Sequence, residues 1–143
     1  MRFILTSILI MLQFLLFSQK EISWSYAYNR GSKSLEIKAV LADGWHLYSS
    51  KRKTEGGPIQ TEFEFDKNAS VAFNGEMIEP EPILEFDPNF DMDVKFFRQS
   101  VVFSQKIKIK RNTILKGSVL FMVCNETMCL PPVVENFEIN LKK

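Results

Sequence analysis

The sequence predicts an all-β fold, an immunoglobulin-like antiparallel β-sandwich, on three observations. Apolar and aromatic side chains recur at every second position in successive short runs, turn-forming residues separate those runs, and past the N-terminal segment no run carries helical periodicity. Eight or nine such strands in about 120 residues suit two packed sheets, with a small closed barrel as the alternative.

In chain order, Trp24, Tyr26 and Tyr28 alternate with smaller residues, and Leu35, Ile37, Ala39 and Leu41 repeat the pattern. Phe63 and Phe65 make a short pair. Val101, Phe103, Ile107 and Ile109 are spaced by twos with Gln105 in register, and Phe137, Ile139 and Leu141 follow the same rule. β-Branched and aromatic residues at period two mark strands with one buried face. From Val119 to Val123 both faces are apolar, which predicts a central strand running into Cys124. Turn signals stand between the runs at Asn29-Arg30-Gly31, Asp43-Gly44, Gly56-Gly57-Pro58, Asn74-Gly75, Asp87-Pro88-Asn89 and Pro131-Pro132. The run Lys106-Ile-Lys-Ile-Lys-Arg111 reads as a strand with its charged face in solvent, the kind that protects a sheet edge. Two segments read as irregular: Lys51 to Pro58, and the proline- and acid-rich stretch from Glu79 to Asp93. The second is expected to be a long surface loop, a kind of segment that often carries function.

A chain of 143 residues holds one ordinary domain. Hydrophobic residues at 45% and charged residues at 24% are globular composition. Eighteen Lys+Arg against seventeen Asp+Glu leave a net charge of +1, which argues against nucleic-acid binding because no excess of cations is available to neutralise phosphates. One histidine, His46, and two cysteines, Cys124 and Cys129, are too few for a multi-ligand zinc module, so neither metal nor cofactor is expected. At the N-terminus Arg2 precedes the apolar run Phe3 to Phe17, which is shorter than the roughly 20 residues of a membrane span and suits a secretory signal. The expected organisation is a cleaved signal peptide over residues 1–18 and a single domain over 19–143, with no membrane span in the mature chain. Such a chain lies outside the cytoplasm, where disulfides persist.

The most informative segment runs from Phe121 to Pro132, FMVCNETMCLPP. Four residues separate Cys124 from Cys129. A disulfide needs Cα atoms about 4.4–6.8 Å apart, whereas five extended steps would span roughly 17 Å, so a bonded pair requires the chain to turn back between them. Asn125 and Thr127 supply turn-forming side chains for that reversal. As a structural staple the pair is weak: a ring this small removes only about 2 kcal/mol of unfolded-state entropy, against roughly 4.7 for a hundred-residue loop. A tight, loop-borne pair suits cycling between dithiol and disulfide better. The staple and a zinc site remain open on spacing alone.

These residues together resemble a known family. Cys124-x4-Cys129-Leu-Pro-Pro followed by Phe137-Glu-Ile139 is similar to the N-terminal periplasmic domain of the thiol:disulfide interchange protein DsbD. Asp43-Gly-Trp-His-Leu-Tyr48, Gly57-Pro58-Ile-Gln-Thr61 ahead of Phe63-x-Phe65, and Gly75 before Glu79-Pro80 extend the likeness over roughly Trp24 to Leu141. The resemblance implies an immunoglobulin-like fold and a redox-active disulfide between Cys124 and Cys129 that relays electrons in the periplasm. It implies Cys129 as the sulfur that forms mixed disulfides, Cys124 as the resolving sulfur, and an aromatic cap for which Phe90 is the match. Its partners would be a thioredoxin-like periplasmic domain or a membrane electron donor supplied in trans, and periplasmic thiol–disulfide acceptor proteins.

The sequence also departs from the family's pattern. Its best-known members place five residues between the cysteines, and they carry tyrosines where this chain has His46 and Tyr48. Tyr48 keeps the hydroxyl near the site. His46 is left between tuning a thiolate and lying on the surface, with the surface as the expectation. The chain ends at Lys143 without the membrane-embedded and thioredoxin-like domains that normally feed this domain, so electrons are expected from a separate protein. An extracytoplasmic immunoglobulin-like binding or scaffold domain with an inert disulfide is the competing reading, since fold alone does not decide function. A hydrolase pairing a cysteine with His46 comes third, for want of an orienting motif.

Overall fold

The period-two runs become strands that pair without exception in antiparallel ladders. A computed structural model of the chain describes residues 20–51 and 56–143. The signal-peptide expectation for residues 1–18 lies outside those residues, as does the middle of the irregular segment that begins at Lys51. Among the described residues the strands are β1 (Ile22–Asn29), β2 (Ser34–Leu41), β3 (His46–Tyr48), β4 (Glu62–Phe65), β5 (Val71–Phe73), β6 (Ile83–Asp87), β7 (Met92–Arg98), β8 (Ser100–Ile109), β9 (Thr113–Phe121), β10 (Val123–Cys124) and β11 (Val133–Leu141). They form three sheets, ordered β1-β2-β8-β5, β11-β9-β4 and β10-β3-β7-β6. The result is an all-β, sandwich-like fold of immunoglobulin type, with more and shorter strands than the eight or nine expected.

The first two sheets face each other through aromatic side chains. Trp24 on β1 lies 5.4 Å from Phe121 on β9 and 6.1 Å from Phe63 on β4, and Tyr26 stacks on Phe137 of β11 at 4.4 Å between ring centroids. Leu35, Ile37, Ala39 and Leu41 of β2 and Val101, Phe103, Ile107 and Ile109 of β8 fill the space between, all buried. Gln105 shares their inward face. It stays buried because its amide donates to the Gly75 carbonyl at 3.1 Å, so no donor is stranded there. Gly117 on β9 pairs with both Phe65 and Phe137. A Cβ at that position would fall on the Glu64 carbonyl oxygen and within 2.7 Å of the Phe137 ring, so only glycine lets that ring lie across the strand.

The third sheet positions the site. Gly44, at φ 80°, turns the chain out of β2 into β3, and the Trp45 amide closes that turn on the Ala42 carbonyl at 3.1 Å. Both faces of β3 are covered. Leu47, Phe97 and Val123, mutually in register, point into the main core, whereas Tyr48, Phe96 and Cys124 point the other way into a second apolar cluster. Alternation along three neighbouring strands thus feeds two separate interiors.

Three expectations are corrected. Glu79–Asp93 is not a long loop: β6 and β7 pair from Ile83↔Phe96 to Asp87↔Met92 and make a hairpin of its second half. The strand was hidden because β6 is an edge whose residues 83–86 are exposed on both faces, which erases the period-two signal. The Lys106–Lys110 run is not an edge, since β8 lies between β2 and β5; its lysines alternate outward because the outer face of an interior strand is also solvated. The central strand does not reach Cys124. β9 lies between β11 and β4 as expected but stops at Phe121, and Val123–Cys124 crosses to the edge of the third sheet.

Replacing Gly117 by Ala is expected to lower stability by about 1–3 kcal/mol, the range for overfilling a packed site. Thermal unfolding checks this; an unchanged midpoint would mean that Phe137 can move aside.

Candidate functional site

Cys124 ends β10 and Cys129 lies just past a tight reversal. The Asn125 amide donates to the Met128 carbonyl at 2.9 Å and the Leu130 amide to the Val123 carbonyl at 3.0 Å. The Asn125 side chain caps the turn from inside: its Oδ1 accepts from the Thr127 amide, the Thr127 hydroxyl and the Met128 amide. This Asx-type geometry is why the segment folds back locally, and it brings the two Cα atoms to 4.0 Å with the disulfide formed. The chain reverses within four residues, as a bonded pair requires.

The two cysteines are unequally covered. Cys124 has no exposed surface, while Cys129 is half-buried at the rim. They share an apolar cluster with Tyr48, Val94, Phe96 and Met122, against which Phe90 and Met92 pack. Phe90 lies in the turn between β6 and β7 and meets the Tyr48 ring edge-on at 5.8 Å between centroids. The structure therefore brings Cys124, Cys129, Tyr48 and Phe90 together.

Polar groups close the cluster on one side. Asp87, buried at the end of β6, accepts from the Tyr48 hydroxyl at 2.6 Å through Oδ2, and that same oxygen lies 3.2 Å from His46 Nε2. Its Oδ1 accepts from the Asn89 backbone amide at 2.8 Å and from Asn89 Nδ2 at 2.9 Å. Burial alone would raise the Asp87 carboxyl, but these hydrogen bonds, led by that of Tyr48, outweigh it and hold the group below its ordinary range. Burial, together with the bond to Asp87, pushes the Tyr48 phenol upward, so it remains a donor at neutral pH. The surface expectation for His46 is overturned. The residue is 7% exposed, because β3 is covered on both faces and gives its alternate residues no outlet to solvent. Its ring sits 4.6 Å from that of Phe96, which also has the Arg98 guanidinium over it at 4.9 Å. Burial lowers the His46 pKa more than Asp87 raises it, so the imidazole is neutral at pH 7.

In the sequence Asp87 and Asn89 read only as turn formers. The signal available was Asp-x-Asn immediately before an aromatic in an acidic stretch, which does not reveal a carboxylate folded inward. Among the described residues no group of three or more His, Cys, Asp or Glu side chains is arranged to hold a metal ion. His46 with Asp87 makes only a pair.

The depressed His46 pKa makes a pH prediction. Between its folded value and the unfolded value of about 6.5 the unfolded chain binds the extra proton, so stability falls as the pH drops below about 6.5. Replacing His46 by Gln should flatten that part of the profile, while the loss due to Asp87 appears only in more acid solution. Thermal midpoints of both chains from pH 8 to pH 4 check this; parallel curves would refute it.

The family model described as "Thiol:disulfide interchange protein DsbD, N-terminal" matches residues 13–141. Among curated proteins none resembles the chain closely enough to count as a match. Among solved structures, the reduced DsbD N-terminal domain of Neisseria meningitidis is 17% identical with a TM-score of 0.65, covering 90% of this chain and 92% of that one. The N. meningitidis DsbD N-terminal domain in a structure with the PilB N-terminal domain is 15% identical with a TM-score of 0.61, covering 87% of this chain and 86% of that one. The N-terminal periplasmic domain of ScsB from Proteus mirabilis is 18% identical with a TM-score of 0.54, covering 85% of this chain and 45% of that one. These likenesses agree on the fold, and the family match over nearly the whole chain supplies the rest: the protein belongs to the family of N-terminal domains of the thiol:disulfide interchange protein DsbD.

Proposed function

We propose that this domain relays electrons by thiol–disulfide exchange, with Cys129 as the exchanging sulfur, Cys124 as the resolving sulfur and Phe90 as the cap beside them. The observation that carries the reading is the unequal burial of a bonded pair inside one small apolar cluster. A thiolate arriving from solvent meets Cys129 first. Its attack breaks the Cys124–Cys129 bond, Cys124 departs as the thiolate, and a mixed disulfide joins the partner to Cys129. The partner's second thiolate then attacks its own sulfur in that mixed disulfide and Cys129 departs, leaving the domain reduced by two electrons and the partner oxidised. In the opposite direction the Cys129 thiolate opens an acceptor's disulfide and Cys124 closes on Cys129, releasing the acceptor as a thiol. What the chemistry requires is a reachable sulfur and thiolate character.

The partners on this reading are a thioredoxin-like domain or membrane donor on one side, and thiol–disulfide acceptors on the other, all in the periplasm. The reading is supported by the neighbour solved in complex with the PilB N-terminal domain, and by the description of the ScsB domain as periplasmic. Exposed apolar side chains are at hand for docking: Phe86 lines the open groove beside His46 and the cysteine turn, and Met128 lies on that turn. Among the described residues no helix is long and apolar enough to cross a membrane.

Equilibration in glutathione or dithiothreitol buffers, followed by acid quench, alkylation and intact mass, tests the function. A reduction potential of about −180 to −270 mV is expected, and a value below about −300 mV would mark an inert bridge and overturn the relay. Changing Cys129 to Ser should abolish exchange while leaving the fold intact, since the lost ring contributes only about 2 kcal/mol. Wild-type exchange in that variant would reassign the reactive sulfur. Changing Phe90 to Ala should speed reduction of the disulfide by dithiothreitol, and an unchanged rate would remove Phe90 from its role.

A further inference from the structure

Two turns meet at the site, the Asp87–Met92 turn that carries Phe90 and the Asn125–Met128 turn that leads to Cys129. One hydrogen bond joins them: Asn89 Nδ2 donates to the backbone carbonyl of Asn125 at 2.9 Å. Every other hydrogen bond of residues 125–129 among the described residues lies within their own hairpin. Asn89 is itself held at the other end, because its backbone amide and its Nδ2 both donate to Asp87 Oδ1. Asp87 in turn is anchored to β3 through the Tyr48 hydroxyl. An unbroken path therefore runs from the rigid third sheet through Asp87 and Asn89 to the turn that closes the cysteine ring.

We propose that Asn89 is a latch: a positioning residue that ties the Phe90 turn to the cysteine turn and so sets how readily Cys129 is reached. The proposal rests on the reading of Cys129 as the exchanging sulfur. The side chain is suited to the task because a single NH2 group bridges two acceptors, the Asp87 carboxylate and the Asn125 carbonyl, on the two elements that must separate for a partner to enter. Among the described residues no other hydrogen bond joins the two turns, so loss of this one leaves them held by packing alone. The side chain of an aspartate at position 89 could not donate and would face the Asp87 carboxylate; an alanine would lose both Nδ2 bonds, the one to Asn125 and the one to Asp87, and keep only the backbone amide's bond to Asp87.

The test is the rate at which dithiothreitol reduces the disulfide in the full chain, for the wild type, Asn89→Ala and Asn89→Ser. The first thiolate of dithiothreitol opens the bond at Cys129, and its second closes the reagent's own disulfide ring, releasing Cys129. Both variants should react about fivefold faster, the equivalent of one ordinary hydrogen bond between the turns. The thermal midpoint is followed alongside; a purely structural role would lower it and leave the rate alone. Should the variants fail to fold, the unaltered oxidised chain still answers, since the Asn89 side-chain amide protons must exchange slowly with solvent by NMR. Rates within twofold of wild type in folded variants, or unprotected Asn89 amide protons, overturn the latch and leave the relay standing. A wild-type disulfide that dithiothreitol does not reduce overturns both.

Discussion

The Asp87 carboxylate gives up water on burial, and Tyr48, His46 and Asn89 stand in for what it loses. An ionised carboxylate left alone in that position would cost several kcal/mol, so the partners are obligatory rather than decorative. They come from two places, β3 and the turn after β6. Satisfying one charge therefore fixes how the β6–β7 hairpin lies against the third sheet, and with it where Phe90 falls. The cysteine turn joins the same arrangement through the Asn89 side chain.

The sandwich and the site rest on different interiors. Trp24, Phe63, Phe103, Phe121 and Phe137 belong to the large core between the first two sheets, while the cysteines sit in the smaller cluster on the far face of the third. Each large apolar side chain buried in the main core contributes about 1.5–3 kcal/mol, comparable to the whole effect of the small disulfide ring. Opening the disulfide therefore costs about as much stability as one such side chain and leaves the main core in place. The third sheet links the two interiors mechanically: Leu47, Phe97 and Val123 are rooted in the large core, and their immediate neighbours in sequence build the site.

Much of the large sandwich was legible from alternation alone. β1, β2, β8 and β11 each bury one face, and a strand with one wet and one dry face writes itself into the sequence at period two. The third sheet obeys no such rule. β3 is buried at all three of its positions and β6 is exposed at four of its five, so one offers no polar beat and the other no apolar one. For the same reason His46 could not be assigned to the interior by inspection: a histidine beside Trp45 and Leu47 looks like the outward member of an alternating pair until β10 and β7 flank its strand and Tyr48, Asp87 and Phe96 close around the imidazole.

The sequence by itself determined that the chain is all-β, that its cysteines are close enough for a turn to join them, and that its turn-rich segment carries the resemblance to a family. Those are properties of local spacing and side-chain type. Only the tertiary structure decided which sulfur is hidden, that Asp87 faces inward, and that Asn89 reaches across to Asn125. Each of these depends on the register between segments some forty residues apart, Tyr48 with Asp87 and Asn89 with Asn125, and such register is set by the packing of three sheets rather than by any short run of residues.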